Sequence, residues 1–530
     1  MESNMFYAIK SVLGIIWKII SPPLMFTGLI WVFIPWLITG FVTLGDANPS
    51  NTALFPLSWW IVFWCLAAYT FAQNVTRKVK RDPSFKLWKW ALGKGKSKAE
   101  QKALNPSLKD FYGDKPEGLP LGKQKNNWVN IPDKYFAHQL TTGGSGTGKT
   151  SSIIIPQIIT TKLPCFIVDI KKELAEKTAK YDDLIFDPSN PTAFGYNPFG
   201  LVTKENLVLD ITTIANSLIP ISEEKKGDAF WDLEAQSLLG GSLLYLYKKG
   251  YNFTDAMRYI QSTPVVQLIN EALDDGDPDV KVKLGHFYKM AETTLSGISA
   301  TVASKTMIFA SDKDLQRCFS MPDEKCIKPQ DLLDGHNIYL CVPESRLEVY
   351  KFATMLIIGQ FLKFFEKQPD NSGGAPRVNF ILDEFYRLGH LSSVEKGLAT
   401  LRSKGVRIHI ITQSNAQLEA VYGKTGSKVI TDNCNVMCLL GATDVETQEY
   451  YSKKIGTYDK TKKSFSDNKG DFKVTGTSGI SVSQEEKRLV KPECLASLGD
   501  EAIVFTPKGW GRVQKKPYYN TPEYKEYQKK

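Results

Sequence analysis

Apolar and polar positions follow three different patterns along the chain. No charged residue occurs between Lys18 and Asp46, and none from Ala47 to Thr76, where the apolar centre is Leu54–Ala72. A bilayer core takes roughly 20 apolar residues in a helix, so each run predicts one membrane-spanning helix. Pro22 and Pro23 suit the first turn of the first helix, and Pro35 would kink it. Farther along, short apolar runs at Cys165–Asp169, Val378–Leu382 and Ile408–Ile411 alternate with helical stretches, which predicts a mostly parallel sheet covered by helices. Between Leu201 and about Ala310 the pattern changes to long helical segments. One of these is Asp228–Tyr247, with Phe230, Trp231, Leu233, Leu238 and Leu239, and the whole region reads as an all-α domain inserted into the α/β one. Residues 457–488, rich in Ser, Thr, Gly and Lys, read as an exposed loop or hairpin.

Charge adds an orientation. The net +10 (66 basic minus 56 acidic) of this 530-residue chain looks like a nucleic-acid signal until it is localised. Residues 77–125 hold fourteen Lys or Arg against five Asp or Glu, which is +9, and the rest is near neutral. Lys10 and Lys18 precede the first run, Arg77, Lys78, Lys80 and Arg81 follow the second, and the connecting loop carries only Asp46. Both termini are therefore expected in the cytoplasm, with the basic stretch beside the anionic inner leaflet. The expected divisions are a two-helix anchor at 1–76, a basic juxtamembrane segment at 77–125, a nucleotide-binding domain at 126–200 and 311–530, and the all-α domain at 201–310. With 42% hydrophobic and 23% charged residues, disordered and low-complexity classes are excluded. Of eight cysteines only Cys434 and Cys438 lie close together, and these read as buried thiols rather than metal ligands.

The candidate chemistry is phosphate chemistry. His138–Thr142 leads into Gly143, Gly144, Ser145, Gly146, Thr147, Gly148, Lys149 and Thr150, a complete G-x4-G-K-T, with a helix-compatible run from Ser151 to Ile159 behind it. Glycines let the loop turn its N–H groups onto phosphate oxygens, Lys149 reaches the β and γ phosphates, and the Thr150 hydroxyl suits Mg2+. The apolar run ending in Asp383-Glu384 supplies the other half of a P-loop ATPase. Asp383 would hold the Mg2+ shell, and Glu384 would orient and deprotonate the attacking water. Gln413, at the tip of the Ile408–Ile411 strand, is placed to sense the γ-phosphate. The cofactors expected are ATP and Mg2+. Leu295–Ser299 resembles the signature of ABC transporter ATPases, but it lies too far before Glu384 and reads as helical-domain sequence.

Together these segments resemble the TraG-like family of type IV secretion coupling proteins. The resemblance is carried by the two N-terminal runs, the loop at 143–150, and Val168–Leu174, which is similar to the family's D-P-K-G-E with Ile170 and Lys172 in place of Pro and Gly. Tyr196-Asn197-Pro198, Phe230-Trp231, Leu382–Phe385 and Gly405–Gln417 continue it. The resemblance implies a RecA-like motor with an all-α domain, hexameric below the inner membrane. It also implies an arginine from the neighbouring subunit, for which Arg402 matches best and Arg407 is the fallback. The implied function is an ATPase that receives a relaxase–DNA complex, protein effectors or both, and passes them to the secretion channel. A nucleotide-gated docking receptor and a DNA-pumping motor of the FtsK/HerA-like type are the alternatives. Outside residues 77–125 the sequence holds no clustered basic stretch and no helix-turn-helix, zinc-finger or RNA-binding signature.

Overall fold

The computed structural model describes residues 108–221, 229–371, 376–467 and 478–528. The two uncharged N-terminal runs lie outside the described residues. Among the described residues no helix is long and apolar enough to cross a membrane.

One body comprises residues 105–457 and 488–530. Its frame is a twelve-stranded sheet. Seven strands are parallel: β4 (Gln139–Gly143), β5 (Cys165–Asp169), β6 (Leu184–Phe186), β7 (Ile338–Cys341), β8 (Val378–Leu382), β9 (Val406–Thr412) and β10 (Val436–Gly441), in the order β10-β4-β9-β8-β5-β7-β6. β5, β8 and β9 are buried at every residue, because helices cover both faces of a parallel sheet. That is why these strands are near-continuous apolar runs. β13 (Glu501–Thr506) and β14 (Gly509–Gln514) extend the sheet antiparallel beyond β10. β2 (Leu119–Gln124), β3 (Asn127–Ile131) and β1 (Tyr112–Gly113) complete that edge.

This edge corrects one expected boundary. The basic juxtamembrane segment is expected at 77–125, yet Tyr112–Gly113 and Leu119–Gln124 are strands of the sheet. Leu119 and Leu121 are fully buried, and Lys123 pairs with Glu523 at 2.5 Å while lying over the Trp128 ring. A charge sum over the stretch hid its apolar strand.

The helical layer holds long helices at Leu207–Leu218, Ala229–Lys248, Phe253–Ser262, Val265–Asp274 and Glu292–Ser311. It continues past the expected end at 310 with helices Lys313–Phe319 and Pro329–Leu333. Asp312 interrupts the helix and caps the next one, its side chain accepting from the Leu315 N–H at 2.9 Å, so the bundle turns without ending. The Leu295–Ser299 segment sits inside helix Glu292–Ser311. There Gly297 makes room for Trp231, since a Cβ would stand 2.8 Å from the indole ring.

Helix Leu347–Glu366 is buried between this layer and the sheet. Its Gln360 accepts from the Tyr196 hydroxyl at 2.8 Å and donates to the Pro198 carbonyl at 2.9 Å, which accounts for the Tyr196-Asn197-Pro198 motif. In the second unit, strands Thr457–Asp467 and Ser478–Arg488 pair as a two-stranded sheet within the stretch expected as an exposed loop or hairpin.

Candidate nucleotide-binding site

All the parallel strands end on one side, and the candidate residues gather there. Ligands of open α/β sheets bind at this carboxyl edge. The loop 143–150 leaves β4 at Gly143, whose missing Cβ would stand 2.6 Å from Thr147 Oγ1. Gly146 and Gly148 take φ of 74° and 90°, the left-handed region that glycine enters at least cost. Thr147 Oγ1 donates to the Gly144 carbonyl at 2.8 Å and pins the loop. Lys149 is buried, its Nζ donating to the carbonyls of Gly143 at 2.6 Å and Gly144 at 3.1 Å. Burial lowers its pKa, and the charges of Glu384 and Asp383 oppose that shift.

The helix behind the loop opens irregularly. Thr150–Ile154 is a π-turn in which the Ile155 N–H bonds the Thr150 carbonyl, and helix Ile155–Thr160 follows. The next residue, Pro156, has no N–H. The Ser151 carbonyl is thereby left without a helical donor, and the Tyr518 N–H fills the position at 2.9 Å. Lys515 Nζ donates to the Thr147 carbonyl at 3.0 Å from the same C-terminal segment. Neither residue was foreseen. Pro156 marks a missing donor in the sequence, but the π-turn decides that Ser151 is the carbonyl left open, and nothing local says which distant segment fills it.

Asp383 and Glu384 follow β8, two strands from the loop, with β9 between. Asp383 is buried, and its Oδ1 accepts from the Glu384 N–H at 3.0 Å. Burial and then the charge of Glu384 push its carboxyl up to about 6. Glu384 holds the left-handed conformation (φ 46°, ψ 44°), uncommon for a side chain of its kind. Its Oε2 accepts from Gln413 Nε2 at 3.0 Å, and its Oε1 lies 3.9 Å from Lys171 Nζ. Gln413 from β9 and Lys171 from β5 thus flank it. Asp169, at the tip of β5, is buried with Oδ2 accepting from the Ala175 N–H at 2.8 Å, and burial raises its pKa. Lys172 occupies the left-handed region (φ 60°), the position where the resembling segment has Gly. Its Nζ binds Asp187 and Ser189, each at 2.6 Å.

The two arginines differ sharply. Arg402 is exposed, its guanidinium over the Phe136 ring at 5.5 Å. It precedes β9, whereas Gln413 follows it, so roughly 20 Å of strand separates Arg402 from its own Glu384 side. Arg407 is 1% exposed, its Nε donating to Asn379 Oδ1 at 2.7 Å and its Nη2 paired with Asp133 at 3.2 Å. This corrects the fallback assignment, because a buried, paired guanidinium cannot reach another subunit. Cys434 and Cys438 are buried, and burial pushes both thiols up to about 12.

The residues present fit a Mg2+–nucleotide: a loop of N–H groups, a buried lysine, the Thr150 hydroxyl, and a carboxylate whose pKa is raised by burial and then by the charge of Glu384.

The family model of the Type IV secretory system Conjugative DNA transfer family matches residues 91–530. The chain belongs to this family. It is 23% identical to Type IV secretion system-coupling protein VirD4 of Bartonella henselae over 378 residues, covering 66% of this chain and 56% of that one. It is 25% identical to Protein VirD4 of Rhizobium radiobacter over 419 residues, 72% of this chain and 57% of that one. The chain therefore spans less than three fifths of these relatives' length. Among solved structures it is similar to the bacterial conjugative coupling protein TrwBdeltaN70, with TM-score 0.60 and 18% identity over 77% of this chain and 90% of that one. The plasmid coupling protein TrwB in complex with ADP and Mg2+ gives TM-score 0.61 and 18% identity, over 77% and 91%. The conjugative DNA transfer family thus accounts for the RecA-like α/β fold with its helical layer.

Proposed function

We propose that this protein is a membrane-anchored P-loop ATPase acting as the coupling protein of a type IV secretion or conjugation system. It recruits relaxase–DNA, protein effectors or both, and drives them to the secretion channel by ATP hydrolysis. The observation that carries this reading is the convergence of Lys149, Asp383, Glu384 and Gln413 at one sheet edge, in a chain matched to the family over residues 91–530.

In this reading the N–H groups of Gly143–Ser151 and the Lys149 ammonium bind the phosphates. Thr150 and Asp383 would hold Mg2+, which neutralises phosphate charge when bound. Glu384, oriented by Gln413, takes the proton of the attacking water. Arg402 lies too far from its own Glu384 to serve it, which supports action at a neighbour's site in a hexamer. The uncharged runs before residue 76, flanked by Lys and Arg, support anchoring in the inner membrane with the motor in the cytoplasm.

The test compares two variants. Lys149→Ala is expected to weaken both nucleotide binding and turnover. Glu384→Gln is expected to keep binding and lower turnover by about 10²–10⁴, trapping ATP. Wild-type hydrolysis by Glu384→Gln would remove the base assignment. Reporter fusions check the anchor: cytoplasmic signal near Pro83 and at the C-terminus, exterior signal near Asn48.

A further inference from the structure

The C-terminal segment has a fixed place on the loop. Two contacts bring it there, Lys515 Nζ to the Thr147 carbonyl and the Tyr518 N–H to the Ser151 carbonyl. The Lys515 N–H is tied to the Asp500 carbonyl at 2.8 Å before the segment arrives. After it leaves, Tyr524 packs edge-on against the buried Trp128 at 5.4 Å. Between these anchors Pro517–Asn520 forms a turn, closed by the Asn520 N–H on the Pro517 carbonyl at 3.2 Å. Tyr518 packs against the cluster that holds Ile154, Ile155, Ile158 and Leu174. Tyr519 stands edge-on to Tyr518 at 5.3 Å and is 60% exposed.

The polarity of the loop says what that aromatic face is near. The lysine of such a loop reaches the β and γ phosphates, and backbone N–H groups cradle α and β. The nucleotide therefore runs from Lys149 at its γ end toward the first turn of the following helix, and the nucleoside emerges beside Ser151. We propose that the turn Pro517–Asn520 is the nucleoside wall of the nucleotide site, with Tyr519 as the face on which the base stacks. This rests on the reading of residues 143–151 as the nucleotide site. An exposed aromatic ring on a rigid turn stacks a base at low entropic cost, and stacking tolerates any base because each has a π-face.

The experiment titrates the full-length chain with ATP, GTP and tripolyphosphate in the presence of Mg2+, using wild type, Tyr519→Ala, Tyr519→Phe and Lys149→Ala. Tyr519→Ala should weaken ATP and GTP between about fivefold and about a hundredfold. It should leave tripolyphosphate, which has no base, within about twofold, and leave the melting temperature of the nucleotide-free protein unchanged. Tyr519→Phe should bind like wild type. The proposal is overturned if Tyr519→Ala binds ATP like wild type while Lys149→Ala does not. Equal weakening of ATP and tripolyphosphate overturns it too, since the ring would then act on the phosphate loop. If Lys149→Ala leaves ATP affinity intact, the nucleotide-site reading itself has failed and the nucleoside wall falls with it.

Discussion

Gln413 Nε2 donates to Glu384 Oε2 at 3.0 Å, joining the tips of β9 and β8 across adjacent strands. Glu384 is held there in a left-handed conformation that a side chain reaches only at some cost. A hydrogen bond to a charged group is worth about 1.5–3 kcal/mol. If it orients the base, Gln413→Ala should lower kcat about ten- to a hundredfold and change KM little. Steady-state ATPase assays separate the two parameters. A raised KM with unchanged kcat would mean that Gln413 only helps to bind.

Arg402 precedes β9 and Lys149 follows the neighbouring β4, at opposite strand ends, so their defects should complement each other in an oligomer. Arg402→Ala should bind nucleotide nearly normally and hydrolyse it about 10³–10⁵-fold more slowly. Mixed with Lys149→Ala subunits, some interfaces would pair an intact loop with an intact arginine, and activity should partly return. Co-oligomers that stay as inactive as their parents would exclude action in trans.

Lys172 carries a left-handed backbone together with an ion pair to Asp187. Lys172→Ala keeps the backbone strain and loses the pair, whereas Lys172→Gly loses the pair and relieves the strain. The left-handed region costs a side chain about 1–2 kcal/mol, so the glycine variant should be the more stable of the two by about that amount. Melting temperatures rank them, and the reverse order would contradict the left-handed assignment.

His138 lies under β9, its Nδ1 accepting from the Ile408 N–H at 3.0 Å, so the ring is held neutral. Burial lowers its pKa to about 4, with the charges of Arg402 and Arg407 adding to the effect. His409, hydrogen-bonded to Thr141, is lowered to about 3, again by burial and then by Arg407. Above pH 6.5 both rings are neutral whether the chain is folded or not, and their contribution is flat. As pH falls below 6.5 the unfolded chain gains protons that the folded one refuses, so stability declines toward pH 4. For His138 alone the loss by then is about 3 kcal/mol. Denaturation between pH 7.5 and 5 measures the slope, and His138→Asn should make it shallower.

Several elements were legible because their causes are local. β5 and β8 begin and end where the runs Cys165–Asp169 and Val378–Leu382 do, since a strand buried on both faces is apolar at most of its positions. The phosphate loop was legible because its backbone needs glycine at Gly146 and Gly148. Other features depend on contacts between distant segments. Arg402 and Arg407 look alike in sequence, yet Arg402 lies exposed in the turn before β9 whereas Arg407 lies inside that strand, buried against Asn379 and Asp133. Leu119 and Leu121 are buried in a cluster with Ile153, Val436 and Val513, residues that only the folded sheet brings together. The Ser151 carbonyl follows the same division. Pro156 has no N–H to give in any fold, but the π-turn Thr150–Ile154 directs that gap onto Ser151, and its donor, Tyr518, arrives only when the completed sheet carries the C-terminal segment back across the loop.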